Sequence, residues 1–222
     1  ILGKAQLRDN RVSSKVIQDL DDRLLTYLNK NFGIKSKTYE VLKTKTGRNA
    51  VAVADILNRT MLLSMGRNKY TIPEETAHFF VDMLKDTSLV NKLRELASQT
   101  TLHGQVLKDY AGEYVTEEDF QLETVGKILG EYIVKEYYNE KGERTSDKDQ
   151  FTKDYSGMMG FLRMIWDRIK SIFNNKSAQD ELNRNITQLF GPLAKQILND
   201  STIGLDVNTL RNHKYYSIED TK

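Results

Sequence analysis

Apolar residues in the first third of the chain follow helical spacing and then strand-like spacing. Between residues 14 and 31 they recur every three or four positions, which predicts a first helix. Residues 34–42 alternate and are rich in Thr, Tyr and Val, which predicts a strand, and the β-branched run at 60–65 predicts another. The apolar run at 50–57 fits either a short helix or a strand.

Helical patterns dominate the rest of the chain. Thr71 and Thr116 stand at the start of two of these patterns, as N-capping residues do. The ranges with helical periodicity are 71–84, 89–97, 116–138, 158–173 and 178–198. We therefore predict an α+β fold that is dominated by helices, with a small sheet in the N-terminal half and helices in the C-terminal part.

Charged and small polar residues dominate positions 139–155, which predicts a solvated linker. We therefore expect three parts: a motif-bearing domain at 1–138, a charged linker at 139–155, and a helical segment at 156–222 that ends in a terminal arm. Because the chain begins with Ile1, we also expect it to be part of a longer or processed chain.

Composition narrows the functional classes. The 33 basic and 31 acidic residues give a formal net charge of +2, so the chain lacks the electrostatic footprint of a nucleic-acid-binding protein. It contains no cysteine, so any metal would have to be held by histidine or carboxylate ligands. No apolar run approaches the roughly 20 residues that a membrane-spanning helix needs.

Candidate chemistry is concentrated in the predicted helix that follows the 60–65 strand. Glu74 and His78 are four positions apart, which places their side chains on one face of a helix. A carboxylate and an imidazole in that arrangement can hold a divalent metal. Glu75 is next in sequence and can polarise a metal-bound water.

This strand and helix resemble the zincin metallopeptidases, in which the helix reads His-Glu-x-x-His. Glu74 stands where the first histidine of the motif is expected, whereas Glu75 matches the catalytic glutamate and His78 the second histidine. The replacement of a neutral nitrogen by an anion changes the metal preference of the site. The resemblance implies ligands at Glu74 and His78 and a general base at Glu75.

In the zincins with a glutamate ligand, the third ligand comes from a later helix, and Glu123 is the best match here. Gly126 and Gly130 follow it on roughly the same face of the predicted helix. Because each glycine costs a helix about 1 kcal/mol, we expect them to let another helix approach closely, and that helix can be the one that carries His78.

The wider layout resembles zincin-like domains in very large virion proteins of tailed bacteriophages, and the closest setting is a cargo protein of a crAss-like phage. The resemblance covers residues 14–138. It rests on the leading helix, the strand entry at Gly33, the run Ala-Asp-Ile-Leu-Asn-Arg-Thr at 54–60, the Pro-Glu-Glu-x-x-His helix and the later glutamate-containing helix.

The resemblance implies a virion-packaged structural protein with a zincin-like domain that has lost peptidase activity, delivered in some cases into the host cytoplasm. No cofactor is then expected, and the partners are other virion proteins or the rest of a longer chain. One alternative is an active metal-dependent peptidase that binds zinc and acts during virion maturation or host entry. A second alternative is a helical assembly module with no catalytic role.

Each candidate residue also has a structural explanation. Thr71 and Glu74 have the spacing of a capping box, and a carboxylate at Glu75 is favoured by the helix dipole. His78 precedes two phenylalanines and can be a packed core residue, whereas His103 precedes a glycine and is predicted to lie in a loop. The segment 158–173 is predicted to pack on its own domain or a partner, in preference to a membrane surface.

Overall fold

The computed structural model describes residues 14–143, 148–174 and 212–218, and within these ranges it has the predicted α+β architecture. A five-stranded mixed sheet is packed against helices. In chain order the elements are α1 (Ser14–Phe32), β1 (Lys35–Tyr39), β2 (Leu42–Lys43), β3 (Asn49–Asp55), β4 (Thr60–Ser64), α2 (Thr71–Met83), α3 (Ser88–Ala97), α4 (Thr101–Asp109), α5 (Glu117–Glu140), α6 (Lys148–Asp154), α7 (Met159–Asn174) and β5 (Lys214–Ile218).

Strand β3 is the centre of the sheet. It pairs antiparallel with β4, β2 and β5, while β1 pairs parallel with β4. Four of the five strands come from residues 35–64, the region in which the sequence predicts a small sheet. The fifth, β5, comes from the residues that were predicted to be a terminal arm, and that prediction is wrong because the segment pairs with β3 along most of its length.

Helices α2 and α5 form the centre of the core. They pack against each other, and α2 also lies against β3 and β5. Nearly every residue of α2 is buried, so this helix has no solvent-facing stripe. The chain begins α5 with a side-chain cap, in which the Thr116 hydroxyl accepts a hydrogen bond from the Asp119 amide. The long helix predicted from that threonine is confirmed.

The range 139–155 contains more structure than its polar composition suggests. Helix α6 lies inside it, and Phe151 on that helix is buried with its ring centroid 6.0 Å from that of Tyr132 on α5. Helix α7 follows and packs on α5, with Leu162 and Trp166 buried in the same apolar cluster as the sheet and α2. The last predicted helix, 178–198, lies outside the described residues.

One local prediction is wrong. His103, predicted to lie in a loop, is buried within α4, which the sequence did not predict as a helix. Among the helices of the described ranges, none has the length and apolarity that crossing a membrane requires.

Candidate metal centre

The glycines of α5 bring this helix against the motif-bearing helix α2. A Cβ atom on Gly130 would lie 2.7 Å from the Cα of Glu74 and 3.0 Å from its backbone nitrogen. A Cβ atom on Gly126 would overlap the imidazole ring of His78. The prediction that these glycines admit the helix that carries His78 is therefore confirmed.

The close approach assembles the three predicted metal ligands. His78 Nε2 lies 3.6 Å from Glu123 Oε2 and 3.9 Å from Glu74 Oε1, and one ligand atom of each residue lies within 4.8 Å of the others. Four ligands around a zinc ion at about 2.1 Å would be about 3.4 Å apart, so small side-chain movements would complete the set. Glu74, His78 and Glu123 could therefore hold a metal ion.

Several polar atoms of the cluster lack hydrogen bonds although they are buried. These are both ring nitrogens of His78, Oε1 of Glu123 and Oε2 of Glu75. Buried polar groups are normally hydrogen-bonded, and each one left without a bond costs about 1–3 kcal/mol. The donor set therefore fits a bound cation, since a metal would complete the coordination of both His78 and Glu123.

The positively charged ammonium group of Lys127 lies beside two of the three candidate metal ligands. Its Nζ lies 2.7 Å from Glu74 Oε1 and 3.5 Å from Glu123 Oε1. Burial alone would raise the pKa of Glu74, but the Lys127 ammonium and the His78 imidazole outweigh it and lower that pKa to about 2. Burial opposes the imidazolium form of His78, yet the carboxylate of Glu123, with those of Glu74 and Glu75, raises its pKa.

Glu75, predicted as the general base, is fully buried in α2 and does not line the pocket that reaches Glu74. Burial raises its pKa to about 8, with the carboxylate of Glu74 adding to the effect and His78 opposing it. Ser217 Oγ lies 2.7 Å from Glu75 Oε1 and 2.9 Å from Glu74 Oε1. Because the serine has a single proton, a protonated Glu75 can donate to Ser217 while Ser217 donates to Glu74.

Two tyrosines complete the surroundings of the ligands. The hydroxyl of Tyr114 donates a hydrogen bond to Glu123 Oε2 at 2.7 Å. The ring of Tyr215 on β5 stacks on that of His78, with centroids 4.4 Å apart and planes at 4°. The hydroxyl of Tyr215 lies 3.2 Å from Asp82 Oδ2 on the next turn of α2. One ligand is thus oriented by a hydrogen bond and another by a flat aromatic contact.

A pocket on the surface of the described residues reaches one side of the cluster. A pocket of about 400 Å³ is lined by Glu74, Lys127 and Ser217 together with residues such as Tyr70 and Tyr155. The side chains of His78 and Glu123 are 0% exposed, and neither lines this pocket. Glu74 is therefore the ligand that an incoming molecule would meet first.

The capping-box explanation of Glu74 is wrong. The N-cap residue of α2 is Tyr70, which makes no side-chain cap, and Thr71 bonds back to Asn68 instead. Glu74 bonds to Lys127 because a charge-assisted hydrogen bond in a partly buried site outweighs a local backbone contact.

Sequence reasoning missed four residues of the site: Tyr114, Lys127, Tyr215 and Ser217. One of them carried a usable signal, since Lys127 is four positions after Glu123 and so shares its helix face. The two residues of β5 carried none, because their partners are more than a hundred positions away.

The described residues define an α+β domain with a histidine–carboxylate cluster enclosed between two helices and a strand. No protein-family model, curated protein or solved structure matches the chain. Its function therefore has to be inferred from the chemistry of the cluster.

Proposed function

We propose that this chain is a zincin-like domain without peptidase activity that serves as a structural protein packaged in the virion of a tailed bacteriophage. The observation that carries the loss of activity is the salt bridge from Lys127 to Glu74, with the same ammonium 3.5 Å from Glu123. The virion setting rests on the sequence resemblance over residues 14–138.

The lysine supplies a positive charge that a metal would otherwise bring. The Lys127 ammonium pairs with the carboxyl groups of Glu74 and Glu123, and below its raised pKa the His78 imidazolium adds a second positive charge. A divalent cation would have to displace both charges before it could bind all three ligands. A metal ion binds histidine only after the ring has lost its extra proton. The Lys127 ammonium and the protonated His78 therefore both weaken the affinity of the cluster for a metal ion.

The enclosure of the cluster argues against hydrolysis as well. A catalytic zinc keeps one coordination position open to water and substrate, whereas a structural site is closed. Here His78, Glu123 and Glu75 are all buried, and Glu75 is bonded to Ser217. With a pKa of about 8, Glu75 is largely protonated at neutral pH and so is poorly suited to accept a proton from water.

Replacement of the internal cation tests the proposal. We expect wild-type protein dialysed against zinc to retain less than one ion per chain, and Lys127→Met to retain one, because two carboxylates then face each other without a counter-charge. Lys135→Met is the matched control: Lys135 is a second lysine of α5, but it is buried and pairs with Glu131. Elemental analysis and calorimetric titration measure the difference.

One tightly held zinc per wild-type chain, or zinc-dependent cleavage of a casein substrate, would overturn the proposal. Equal zinc retention by all three proteins would show that Lys127 does not exclude the metal. Peptidase assays of the wild type belong to the same experiment, since the proposal predicts no cleavage with or without added zinc.

An active peptidase is the second candidate, and the unbonded ring nitrogens of His78 favour it. In that case Glu74, His78 and Glu123 would hold zinc, which supplies Lewis-acid activation of a peptide carbonyl and of water. Glu75 would accept the water proton. Stoichiometric zinc in the wild type, together with loss of cleavage in Glu75→Gln, would establish this candidate in place of the first.

A further inference from the structure

Strand β5 is bound through its backbone on both sides. On one side it pairs with β3, where Tyr216 stands opposite Val53. On the other side the Tyr110 hydroxyl donates to the Tyr216 carbonyl at 2.6 Å, and the Tyr216 N–H donates to the Tyr114 hydroxyl at 3.2 Å. In an antiparallel pair, the N–H and C=O groups of alternate residues point away from the partner strand. Here the hydroxyl groups of two tyrosines form hydrogen bonds with these groups of Tyr216.

The side chains of β5 add selectivity to these backbone contacts. Successive side chains of a strand point to opposite faces, so Tyr215 and Ser217 share one face. That face meets the ligand cluster, where Tyr215 stacks on His78 and Ser217 bonds Glu74 and Glu75. The groove thus accepts a flat aromatic ring and, two residues later, a small hydroxyl side chain.

We define the strand groove as the edge of β3 together with Tyr110, Tyr114 and the cluster-facing side of α2. We propose that the strand groove is a peptide-binding site that residues 214–218 occupy in this chain, and that it binds the same extended segment supplied from outside. The ligand class is an extended peptide with an aromatic residue followed two positions later by Ser or Thr.

Two features support binding from outside. All walls of the groove come from residues 49–123, so none of them depends on the local sequence of β5. Addition of a strand to a sheet edge draws affinity from main-chain hydrogen bonds and specificity from alternate side chains, which is the division of contacts seen here. Neither feature depends on whether the cluster holds a metal.

The occupied groove also seals the cluster. When β5 leaves, one face of the His78 ring loses its cover and the Tyr114 hydroxyl loses the amide that donates to it. Since the same hydroxyl donates to Glu123, occupation of the groove and orientation of that ligand are linked. His78 is therefore a built-in reporter of whether the groove is filled.

The test uses the full chain with Tyr216→Pro, which removes the N–H that Tyr114 accepts and places a proline in the strand. Carbethoxylation by diethyl pyrocarbonate, located by mass spectrometry in EDTA buffer, reports the exposure of His78. His103 is the internal control, because it is buried on α4 and bonded to Thr124 and Glu117. We expect His78 labelling to rise about tenfold or more while His103 labelling stays low.

The second step adds a fluorescein-labelled peptide with the sequence of residues 212–218. We expect it to bind the Tyr216→Pro chain by fluorescence anisotropy and to restore protection of His78, but not to bind the wild type, whose groove is filled. The same peptide carrying Ser217→Ala should bind more weakly, and the peptide carrying Tyr216→Pro should not bind. Both readouts are made without metal, so their failure is distinct from failure of the proposed function.

Unchanged protection of His78 in the variant, or an opened groove that does not bind the peptide, would overturn the inference. If His103 is labelled as well, the fold has been disturbed, and Tyr215→Ala/Ser217→Ala replaces the proline variant. That double variant keeps the backbone contacts. Labelling of His78 that rises in the double variant and falls again when wild-type peptide is added supports the proposal, and any other result contradicts it.

Discussion

The contact between Gly130 on α5 and the backbone of Glu74 on α2 offers a direct test of the fold. An alanine at position 130 would place its Cβ atom 2.7 Å from the Glu74 Cα and 3.0 Å from the Glu74 nitrogen. Both of these are main-chain atoms, so no change of rotamer can relieve the overlap. The two helices would have to move apart, and the ligands that they carry would separate with them.

Two opposing effects determine how much Gly130→Ala changes the free energy of unfolding. Alanine is favoured over glycine inside a helix by about 1 kcal/mol, whereas overpacking of a core costs about 1–3 kcal/mol. Because the overlap is with backbone, the cost belongs at the upper end, and Gly130→Ala should lower the free energy of unfolding by about 2 kcal/mol. Gly104→Ala is the control: Gly104 is exposed within α4, and its Cβ would meet nothing within 4 Å. This variant should gain up to about 1 kcal/mol.

Urea denaturation followed by far-ultraviolet circular dichroism and tryptophan fluorescence measures both variants. Gly126→Ala completes the series, since its Cβ atom would overlap the buried ring of His78, and the variant should also lower the free energy of unfolding. If Gly130→Ala is as stable as the wild type, the two helices are not held at the distance described, and the basis for the ligand cluster is removed.

Three further predictions concern other parts of the fold. Burial raises the pKa of Asp21 to about 6, so stability that is present below its unfolded value of 3.8 should fall as the pH rises through 6. Asp21→Asn should remove this loss of stability, which is at most ~3 kcal/mol because the residue is partly exposed. Thermal melts of both proteins at pH 4 and 8 measure the effect. Equal pH dependence in the two proteins would refute the prediction. Trp166 is 1% exposed, so its emission should be blue-shifted and resistant to iodide without added lipid. Thr116→Ala should cost about 1 kcal/mol in urea denaturation through loss of the α5 cap, and no change would contradict that role.

Local signals in the sequence predicted the central helices correctly. The hydroxyl of Thr116 and the spacing of apolar residues located α5, because a cap and a periodic face act within one or two turns. The glycines at 126 and 130 were informative for the same reason: a costly residue repeated on one face indicates a close neighbour. Together they predicted that Glu123 would lie near His78, and the 3.6 Å distance confirms it.

The features that the sequence did not predict depend on contacts between distant segments. Strand β5 lies about 160 positions after β3 in the sequence, and it is buried because β3 leaves an edge for it. Glu74 has the spacing of a helix cap, but an ammonium from another helix binds it more strongly than the local amide does. Gly104 suggested a loop, although an exposed helix position tolerates glycine at a modest cost. The grouping of Glu74, His78 and Glu123 was thus predictable, whereas Lys127 was overlooked although it is four positions after Glu123 on the same helix face.

The pairing of β3 with β5 also has a consequence for biosynthesis. It joins residues about 160 positions apart, so at 5–20 residues per second the ribosome delivers β5 roughly 10–30 s after β3. A newly made chain therefore carries an uncovered sheet edge throughout that interval, and such edges recruit other strands.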